Sequence, residues 1–289
     1  MIQYPKNEEN FMIIDKELQK AHQLLSECDA LLITAGAGMG VDSGLPDFRG
    51  NEGFWKVYPV AKERHLPFEA LANAEWFEYD PTLAWAFYGH RLNLYRDTVP
   101  HAGFEMLRKL CKKKGDNYFV LTSNVDGQFQ KAGFDENQIS EIHGSIHHLQ
   151  CTSDKEHGIW SADEDNVTVD MEAFKAQSPL PICPTCGALA RPNILMFGDW
   201  DWISSRTLAQ TKRFDDWKKE VVAEKIKVAV IEIGAGTAIP SIRRMSESAA
   251  KQFHTPLIRI NPRESQGLLG TIKLPFEGLK GIRQIMSIK

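Results

Sequence analysis

The chain has 289 residues, of which 43% are hydrophobic and 25% charged, a composition typical of a globular protein with one or two domains. Its net charge of -4 argues against a general nucleic-acid-binding or anionic-membrane surface, and no apolar run approaches the ~20 residues that span a bilayer. Five cysteines without a secretory signal predict a reducing compartment, so we expect a cytoplasmic protein without a disulfide framework. Composition leaves the oligomeric state open.

Helices and short apolar strands alternate along most of the chain. An amphipathic helix is predicted over 13–27, and a buried strand over 30–34 leads into a glycine-rich turn. Further helices are predicted over 101–114, 206–225 and 242–253, and further strands over 118–121, 139–142, 228–233 and 257–260. This alternation favours the α/β class, with a Rossmann-like, doubly wound parallel sheet.

Two stretches interrupt this rhythm. Residues 51–97 are rich in aromatic residues and predict a helical insertion. Residues 151–192 are polar and acidic, and they predict a small zinc-ribbon-like module. The Rossmann-like domain is then expected to consist of residues 1–50, 98–150 and 193–289.

The turn after the first strand carries glycines at positions 36, 38 and 40, which allow backbone N–H groups to close around a phosphate. The fingerprint of hydride-transfer enzymes places its third glycine at position 41, where this chain has Val41, so an ordinary dehydrogenase is disfavoured. A tight strand-to-helix turn is the alternative interpretation. It does not account for the cluster Pro46-Asp47-Phe48-Arg49 that follows.

Polar residues also follow two later strands. Asn124 and Asp126 lie two positions apart, so in extended chain they face one side. His143 ends the next strand, directly before Gly144. Each has an ordinary alternative, an Asx turn for the first pair and a structural histidine for the second. Because parallel strands end at one edge of a sheet, we expect these side chains to surround one crevice.

A third group of residues has the spacing of a zinc knuckle. Cys183 and Cys186 form a Cys-x-x-Cys pair, and Cys151 supplies a third sulfur. The candidates for a fourth ligand are Asp154, His157, His147 and His148. The sequence therefore leaves open a weakened zinc site, a site of mixed ligands, or a lost one.

Tyr88 and Arg91 share one face of a predicted helix, because they lie three residues apart. Together they can grip a carboxylate. The alternative is a solvated arginine beside a core tyrosine.

Taken together, these motifs resemble those of the sirtuin family. The matching segments are Gly36-Ala37-Gly38, Ser43-Gly44-Leu45-Pro46-Asp47-Phe48-Arg49, Thr122-Ser123-Asn124-Val125-Asp126, His143-Gly144, Arg191 to Asp199, Gly234-Ala235-Gly236-Thr237 and Ile260-Asn261. The resemblance implies an NAD-dependent protein-lysine deacylase, which cleaves the nicotinamide–ribose bond and transfers the acyl group to ADP-ribose. An acylated protein or peptide is the implied partner.

The resemblance also implies roles for individual residues. His143 is implied as the base for a ribose hydroxyl, with Asn124 and Asp126 as its catalytic neighbours. The residues implied to bind NAD are Gly36, Ala37, Gly38, Asp47, Phe48, Arg49, Ser123, Asn124, Asp126, Gly234, Gly236, Thr237 and Asn261. Those implied to bind substrate are Tyr88, Arg91, Phe197 and Gly198, and those implied to bind zinc are Cys151, Cys183 and Cys186. Sirtuins sensitive to acidic acyl groups carry a Tyr-x-x-Arg where Tyr88 and Arg91 stand, which implies a preference for succinyl- or malonyl-lysine.

Departures from the family pattern keep other functions open. Gly40 replaces a serine, Ser123 a glutamine and Ala238 a serine. The stretch 122–134 also resembles the macrodomain-linked sirtuins, which transfer ADP-ribose to protein but lack the catalytic histidine. The alternatives to a deacylase are thus a protein mono-ADP-ribosyltransferase or NAD glycohydrolase, and a non-catalytic NAD- or ADP-ribose-binding module. His143 favours the deacylase.

Overall fold

The computed structural model describes residues 6–47 and 50–288. The helices are α1 (Lys6–Glu27), α2 (Gly50–Val57), α3 (Pro59–Glu63), α4 (Phe68–Leu71), α5 (Trp76–Tyr79), α6 (Pro81–Asp97), α7 (Ala102–Lys113), α8 (Gln128–Lys131), α9 (Ser205–Ala223), α10 (Ser241–Gln252) and α11 (Gly278–Met286). The strands are β1 (Ala30–Ala35), β2 (Tyr118–Thr122), β3 (Ile139–Glu141), β4 (Gly144–Cys151), β5 (Ile159–Ser161), β6 (Val169–Asp170), β7 (Lys175–Ala176), β8 (Ala190–Ile194), β9 (Val228–Ile233), β10 (Leu257–Ile260) and β11 (Ile272–Leu274). Within the described ranges, no helix combines the length and the apolar character that a membrane crossing needs.

Six parallel strands form the central sheet, in the order β11-β10-β9-β1-β2-β3. The chain runs outward from β1 to β3 on one side, then returns to β9 and runs outward to β11 on the other. This confirms the predicted Rossmann-like, doubly wound sheet. All residues of β1 and β9 are buried, as expected for strands covered on both faces. The reversal between β1 and β9 opens a crevice at their carboxyl ends.

The helical stretch after the glycine loop packs against the smaller sheets rather than against the central one. Its aromatic side chains, including Phe54, Tyr58, Trp85 and Phe87, share a buried cluster with residues of β4 and β8 such as Ile146 and Ala190. The Trp85 indole N–H donates to the Ala190 carbonyl at 3.0 Å. This second core fixes the position of α6, which carries two of the predicted substrate residues.

A three-stranded antiparallel sheet, in the order β5-β4-β8, and the ribbon β6-β7 form the smaller part of the fold. Strand β4 begins at Gly144 and pairs with β5 and β8 in the small sheet. Gly144 makes this change of sheet possible: its φ is +79°, and an added Cβ would lie 2.1 Å from the Asn193 carbonyl oxygen. The domain limits stay a prediction.

Candidate active site

A cavity of about 780 Å³ opens at the carboxyl ends of β1 and β9. Its walls are the loops after β1, β2, β3, β8, β9 and β10, together with residues of α4, α6 and α10. A doubly wound sheet holds its ligand at this place. The predicted site residues that line the cavity are Gly36, Ala37, Asp47, Tyr88, Arg91, Ser123, Asn124, Asp126, His143, Phe197, Gly198, Gly234, Gly236 and Thr237.

Two of the residues implied to bind NAD, Phe48 and Arg49, lie outside the described residues. Two others, Gly38 and Asn261, do not line the cavity. The Gly38 N–H donates to the Gly234 carbonyl at 3.0 Å. Asn261 is fully buried behind the cavity, where its amide donates to the Ala235 carbonyl at 2.9 Å. Gly38 and Asn261 therefore hold the loops in place from behind, because each bonds to the backbone of the opposite loop.

The two glycine loops approach each other so closely that side chains would not fit. A Cβ added to Gly36 would lie 2.7 Å from the Ala235 Cα. A Cβ added to Gly234, whose φ is +67°, would lie 2.4 Å from the Gly38 carbonyl carbon. The glycines thus join the loops after β1 and β9 into one backbone surface, while the N–H groups of Gly36, Gly38 and Gly234 donate to the Ile233, Gly234 and Ile260 carbonyls.

His101 supports the first glycine loop, a role that the sequence patterns did not reveal. Its Nδ1 accepts the Gly103 N–H at 2.9 Å, so its Nε2 carries the proton and donates to the Met39 carbonyl at 2.9 Å. The backbone N–H of His101 donates to the Ser43 hydroxyl at 2.9 Å. The one feature of the sequence that could have indicated this role is the position of His101 directly after Pro100, at the N-cap of α7.

Asn124 and Asp126 extend from the loop after β2. The Asn124 amide donates to the Gly36 carbonyl at 3.1 Å, which ties this loop to the first glycine loop. The Asp126 carboxylate accepts the Gln128 N–H at 3.0 Å. Burial raises the pKa of Asp126 from 3.8 to about 6, and the Gln128 hydrogen bond offsets only part of this.

His143 lies half-buried where β3 leads into β4, and it faces the same cavity. Burial lowers the pKa of its imidazole below 6.5, and a hydrogen bond to the Ser123 backbone opposes the shift. Its carbonyl accepts the Leu195 N–H at 2.9 Å, which fixes the strand end against the loop after β8. The imidazole is therefore mostly neutral near pH 7 and is able to accept a proton.

The buried charge of Asp126 predicts a cost in stability. Because folding raises the pKa of Asp126, the folded state favours the protonated carboxyl. The resulting stabilisation is fully present below pH 3.8 and is lost as the pH rises through about 6. We expect Asp126→Asn to raise the free energy of unfolding at pH 7.5 by about 2–3 kcal/mol, with little change at pH 4, while lowering activity. Urea unfolding at both pH values measures this. The same substitution at exposed Asp97 is the control, and equal effects at the two sites would contradict the prediction.

Tyr88 and Arg91 both lie in the wall of the cavity. They are only 1% and 7% exposed, so the alternative of a solvated arginine is wrong. The Arg91 Nε donates to the Tyr95 hydroxyl at 3.0 Å, and its guanidinium carbon lies 5.1 Å from the centre of the Phe87 ring. Burial raises the pKa of Tyr88, which keeps the phenol neutral. A cation and a neutral hydroxyl donor thus line the same wall.

Phe197 and Gly198 form the rim of the cavity after β8. The Phe197 N–H donates to the Ala72 carbonyl at 2.9 Å, and Phe197 forms a parallel β-bridge with Asn73. Phe197 is 38% exposed, and Gly198 has a φ of +66°. Phe197 is therefore part of a short extended bridge at the mouth of the cavity, a form to which a peptide can add as a strand, and Gly198 turns the chain directly after it.

A cluster of metal-ligand side chains lies in the small module. The ligand atoms of Cys151, His157, Cys183 and Cys186 all lie within 4.8 Å of one another. The sulfurs of Cys151 and Cys186 are 3.7 Å apart, and the Cys183 sulfur is 3.5 Å from His157 Nδ1. Ligands at about 2.3 Å from a tetrahedral zinc ion lie about 3.8 Å from one another, so the donor set fits zinc. Of the four candidates that the sequence left open, His157 is the one that lies with the three cysteines, where it would be the fourth ligand.

Asp154, at the position of the missing cysteine, supports the cluster from outside. Its carboxylate accepts the Glu156 N–H at 2.9 Å and lies 3.7 Å from His157 Nε2. The other two histidine candidates are not in this cluster, and His147 Nε2 lies 3.0 Å from the Asp126 carbonyl oxygen. Carboxylates placed in this way orient histidine ligands of zinc.

The fold and the site together define an α/β protein with a large cavity at the switch point of its parallel sheet. Comparison with known proteins is consistent with this class. The model of the Sir2 family matches residues 36–221. The chain therefore belongs to the Sir2 family.

Individual relatives extend the match to most of the chain. An NAD-dependent protein deacylase of Pyrococcus furiosus is 32% identical over 182 residues, which cover 63% of this chain and 66% of that protein, just under two thirds. One of Leptospira interrogans is 30% identical over 249 residues, covering 86% of this chain and 87% of that protein. A solved mutant of a Sir2 homologue in complex with ADP-ribose has a TM-score of 0.65 at 25% identity, covering 94% of this chain and 98% of that one.

Proposed function

We propose that the protein is an NAD-dependent protein-lysine deacylase. The observation that carries this proposal is that His143 lines one cavity with both glycine loops and with Asn124 and Asp126. The relatives named NAD-dependent protein deacylase support it. NAD is a substrate of this reaction, together with the acyl-lysine and water, and the products are nicotinamide, free lysine and an acylated ADP-ribose.

The residues of the cavity suit the steps of that reaction. The joined glycine loops offer the backbone N–H groups of Ala37 and Gly236, both in the cavity wall, to the diphosphate of NAD. Cleavage of the nicotinamide–ribose bond leaves positive character on the ribose carbon, which the carboxylate of Asp126 stabilises electrostatically. The acyl-lysine carbonyl oxygen attacks that carbon and forms an imidate. His143 takes the proton of a ribose hydroxyl, whose oxygen attacks the imidate carbon. The lysine amine then leaves with a proton, water adds to the same carbon, and the acyl group remains on the ribose. Phe197 and Gly198 hold the peptide backbone at the rim.

The test is incubation of the protein with NAD and a panel of acetyl-, succinyl- and long-chain acyl-lysine peptides. Release of nicotinamide together with free lysine is expected. Nicotinamide and free ADP-ribose without peptide would instead show a glycohydrolase, and ADP-ribose attached to protein would show a transferase. Binding of NAD without any turnover would leave only a non-catalytic binding module.

We also propose a preference for acidic acyl groups. The Arg91 guanidinium and the neutral Tyr88 hydroxyl lie in the wall of the cavity, where a succinyl or malonyl carboxylate can receive charge-assisted hydrogen bonds.

We also propose a cytoplasmic location, which agrees with five cysteines that are outside any disulfide bond in the described structure. The proposed partners are acylated proteins, and neither nucleic acid nor membrane is required.

Arg91→Met is expected to reduce kcat/KM for desuccinylation by about 30-fold, because a hydrogen bond to a charged group contributes about 2 kcal/mol. Deacetylation is expected to fall by less than about threefold in the same variant, since an acetyl group has no carboxylate. Arg96→Met, on the same helix but outside the cavity wall, is the control and should affect both reactions equally. Equal losses with Arg91→Met would assign Arg91 a structural role.

A further inference from the structure

A second, smaller cavity of about 290 Å³ lies in the helical stretch. Its lining residues are Ala70, Asn73, Glu75, Trp76 and Tyr79, and we call it the flanking pocket. Tyr79 is 73% exposed, and the Trp76 indole N–H donates to the Ala70 carbonyl at 2.6 Å, which holds the ring in the wall. The pocket therefore offers two aromatic surfaces and one carboxylate to a ligand from solvent.

The flanking pocket adjoins the rim of the large cavity. Asn73 lines the pocket and forms the β-bridge to Phe197, while its neighbour Ala72 lines the large cavity and accepts the Phe197 N–H. The short bridge between Asn73 and Phe197 is thus the wall shared by the two cavities. Successive side chains of an extended peptide point in opposite directions, so a peptide at this rim can place one side chain in each cavity.

The charge around the flanking pocket selects the kind of side chain. From Leu66 to Asp80, both included, the chain has four acidic residues and no basic one. Glu75 is exposed and lines the pocket, and its N–H donates to the Asn73 side chain at 2.9 Å, which fixes the start of α5. Aromatic faces beside a carboxylate favour a long aliphatic chain that ends in a cation.

We propose that the flanking pocket binds a basic side chain of the substrate, adjacent in sequence to the acyl-lysine. This inference rests on the proposed function, because it takes the large cavity to be the site of the acyl-lysine. The stem of the substrate arginine or lysine packs on Trp76 and Tyr79, and its charge pairs with Glu75. The pocket thereby selects among acylated lysines by their neighbours rather than by their acyl group.

The test uses fluorescent acyl-lysine peptides that carry arginine, citrulline or alanine at each of two positions before and after the acyl-lysine. Citrulline has the shape of arginine without its charge. At one of these positions, the arginine peptide is expected to bind about fivefold more tightly than the citrulline peptide, as for a partly exposed ion pair with a cation–π contact. Fluorescence anisotropy measures this without turnover, and kcat/KM is measured in parallel.

Two variants then locate the effect. Glu75→Gln is expected to abolish the difference between arginine and citrulline, whereas Glu78→Gln is expected to preserve it, since Glu78 is exposed on the same helix but does not line the pocket. Neither variant should change kcat/KM for a single acyl-lysine amide without neighbours. No arginine preference at any position, or equal loss in both variants, would overturn the proposal. Selective binding without deacylation would refute the proposed function and leave the flanking pocket standing.

Discussion

His143→Ala is expected to lower kcat/KM for deacylation by about three orders of magnitude and to leave the binding of NAD unchanged. A positioned general base contributes about 10²–10⁴-fold to a rate, and no other histidine lines the cavity in the described part of the chain. His143 lies between β3 and β4 and belongs to neither glycine loop, so its removal leaves the backbone surface for the diphosphate intact. Calorimetry with NAD and a deacylation assay separate binding from catalysis.

The pH dependence provides an independent check on His143. Burial lowers the pKa of this imidazole below 6.5, so it is protonated, and inactive as a base, only at lower pH. We expect the acid limb of kcat/KM to have its midpoint below pH 6.5 and activity to be constant through pH 7. The pKa of Asp126 is about 6, so this carboxyl titrates in the same pH range as His143. The apparent pKa values of the acid limb therefore belong to the two groups together.

His22→Ala is the control for this experiment. His22 bonds to the Ile285 carbonyl, away from the cavity, and its replacement should leave the pH profile unchanged. Full activity in His143→Ala would exclude the base role. If that variant instead attached ADP-ribose to protein, the transferase alternative would replace the deacylase.

The parallel strands next to glycine turns could be predicted from the sequence almost to the residue. β9 and β10 have the predicted limits, and β1 extends one residue beyond its predicted end, to Ala35. These strands are buried on both faces and read as continuous apolar runs, with glycine or Asn-Pro marking their ends. β11 lacked such a signal, because it has only three residues and the middle one is exposed.

Residues at strand ends could also be predicted to meet, because the geometry of a parallel sheet brings its carboxyl ends to one edge. Asn124, Asp126 and His143 line one cavity for this reason. The positions of Asn261 and His157 could not be derived in this way. Asn261 turns behind the loops to bond with Ala235, and His157 approaches the cysteines through the short 3-10 turn Lys155–His157. Such placements depend on loop conformation, for which spacing in the sequence gives no rule.

One tightly held zinc ion per chain is expected from the cluster of Cys151, His157, Cys183 and Cys186. Three sulfurs and one imidazole form a common structural zinc site. Burial opposes ionisation of Cys183, but backbone N–H groups of Cys186 and Thr185 lower its pKa from 9.0 to about 6. This favours the thiolate that binds the metal. Elemental analysis after dialysis against a weak chelator is expected to give one equivalent.

His157→Ala is expected to release the zinc and to lower the free energy of unfolding by several kcal/mol, because metal affinity at a structural site is folding free energy. The loss should destabilise β4 and β8 in particular, since Cys151 ends β4 and Ala190 begins β8 beside it in the same sheet. His157→Cys restores a fourth thiolate and should retain the metal. Thermal unfolding, with and without a strong chelator, follows both variants.

Two further variants distinguish the ligands from their surroundings. Asp154→Ala removes the carboxylate behind His157 and is expected to weaken zinc binding about 10-fold without abolishing it, as other outer carboxylates do. Cys28→Ser changes a buried thiol outside the cluster and should keep a full equivalent of zinc. If His157→Ala retained one equivalent of zinc after chelation, three thiolates and another donor would hold the ion. The position of His157 beside Cys183 would then be a packing contact only.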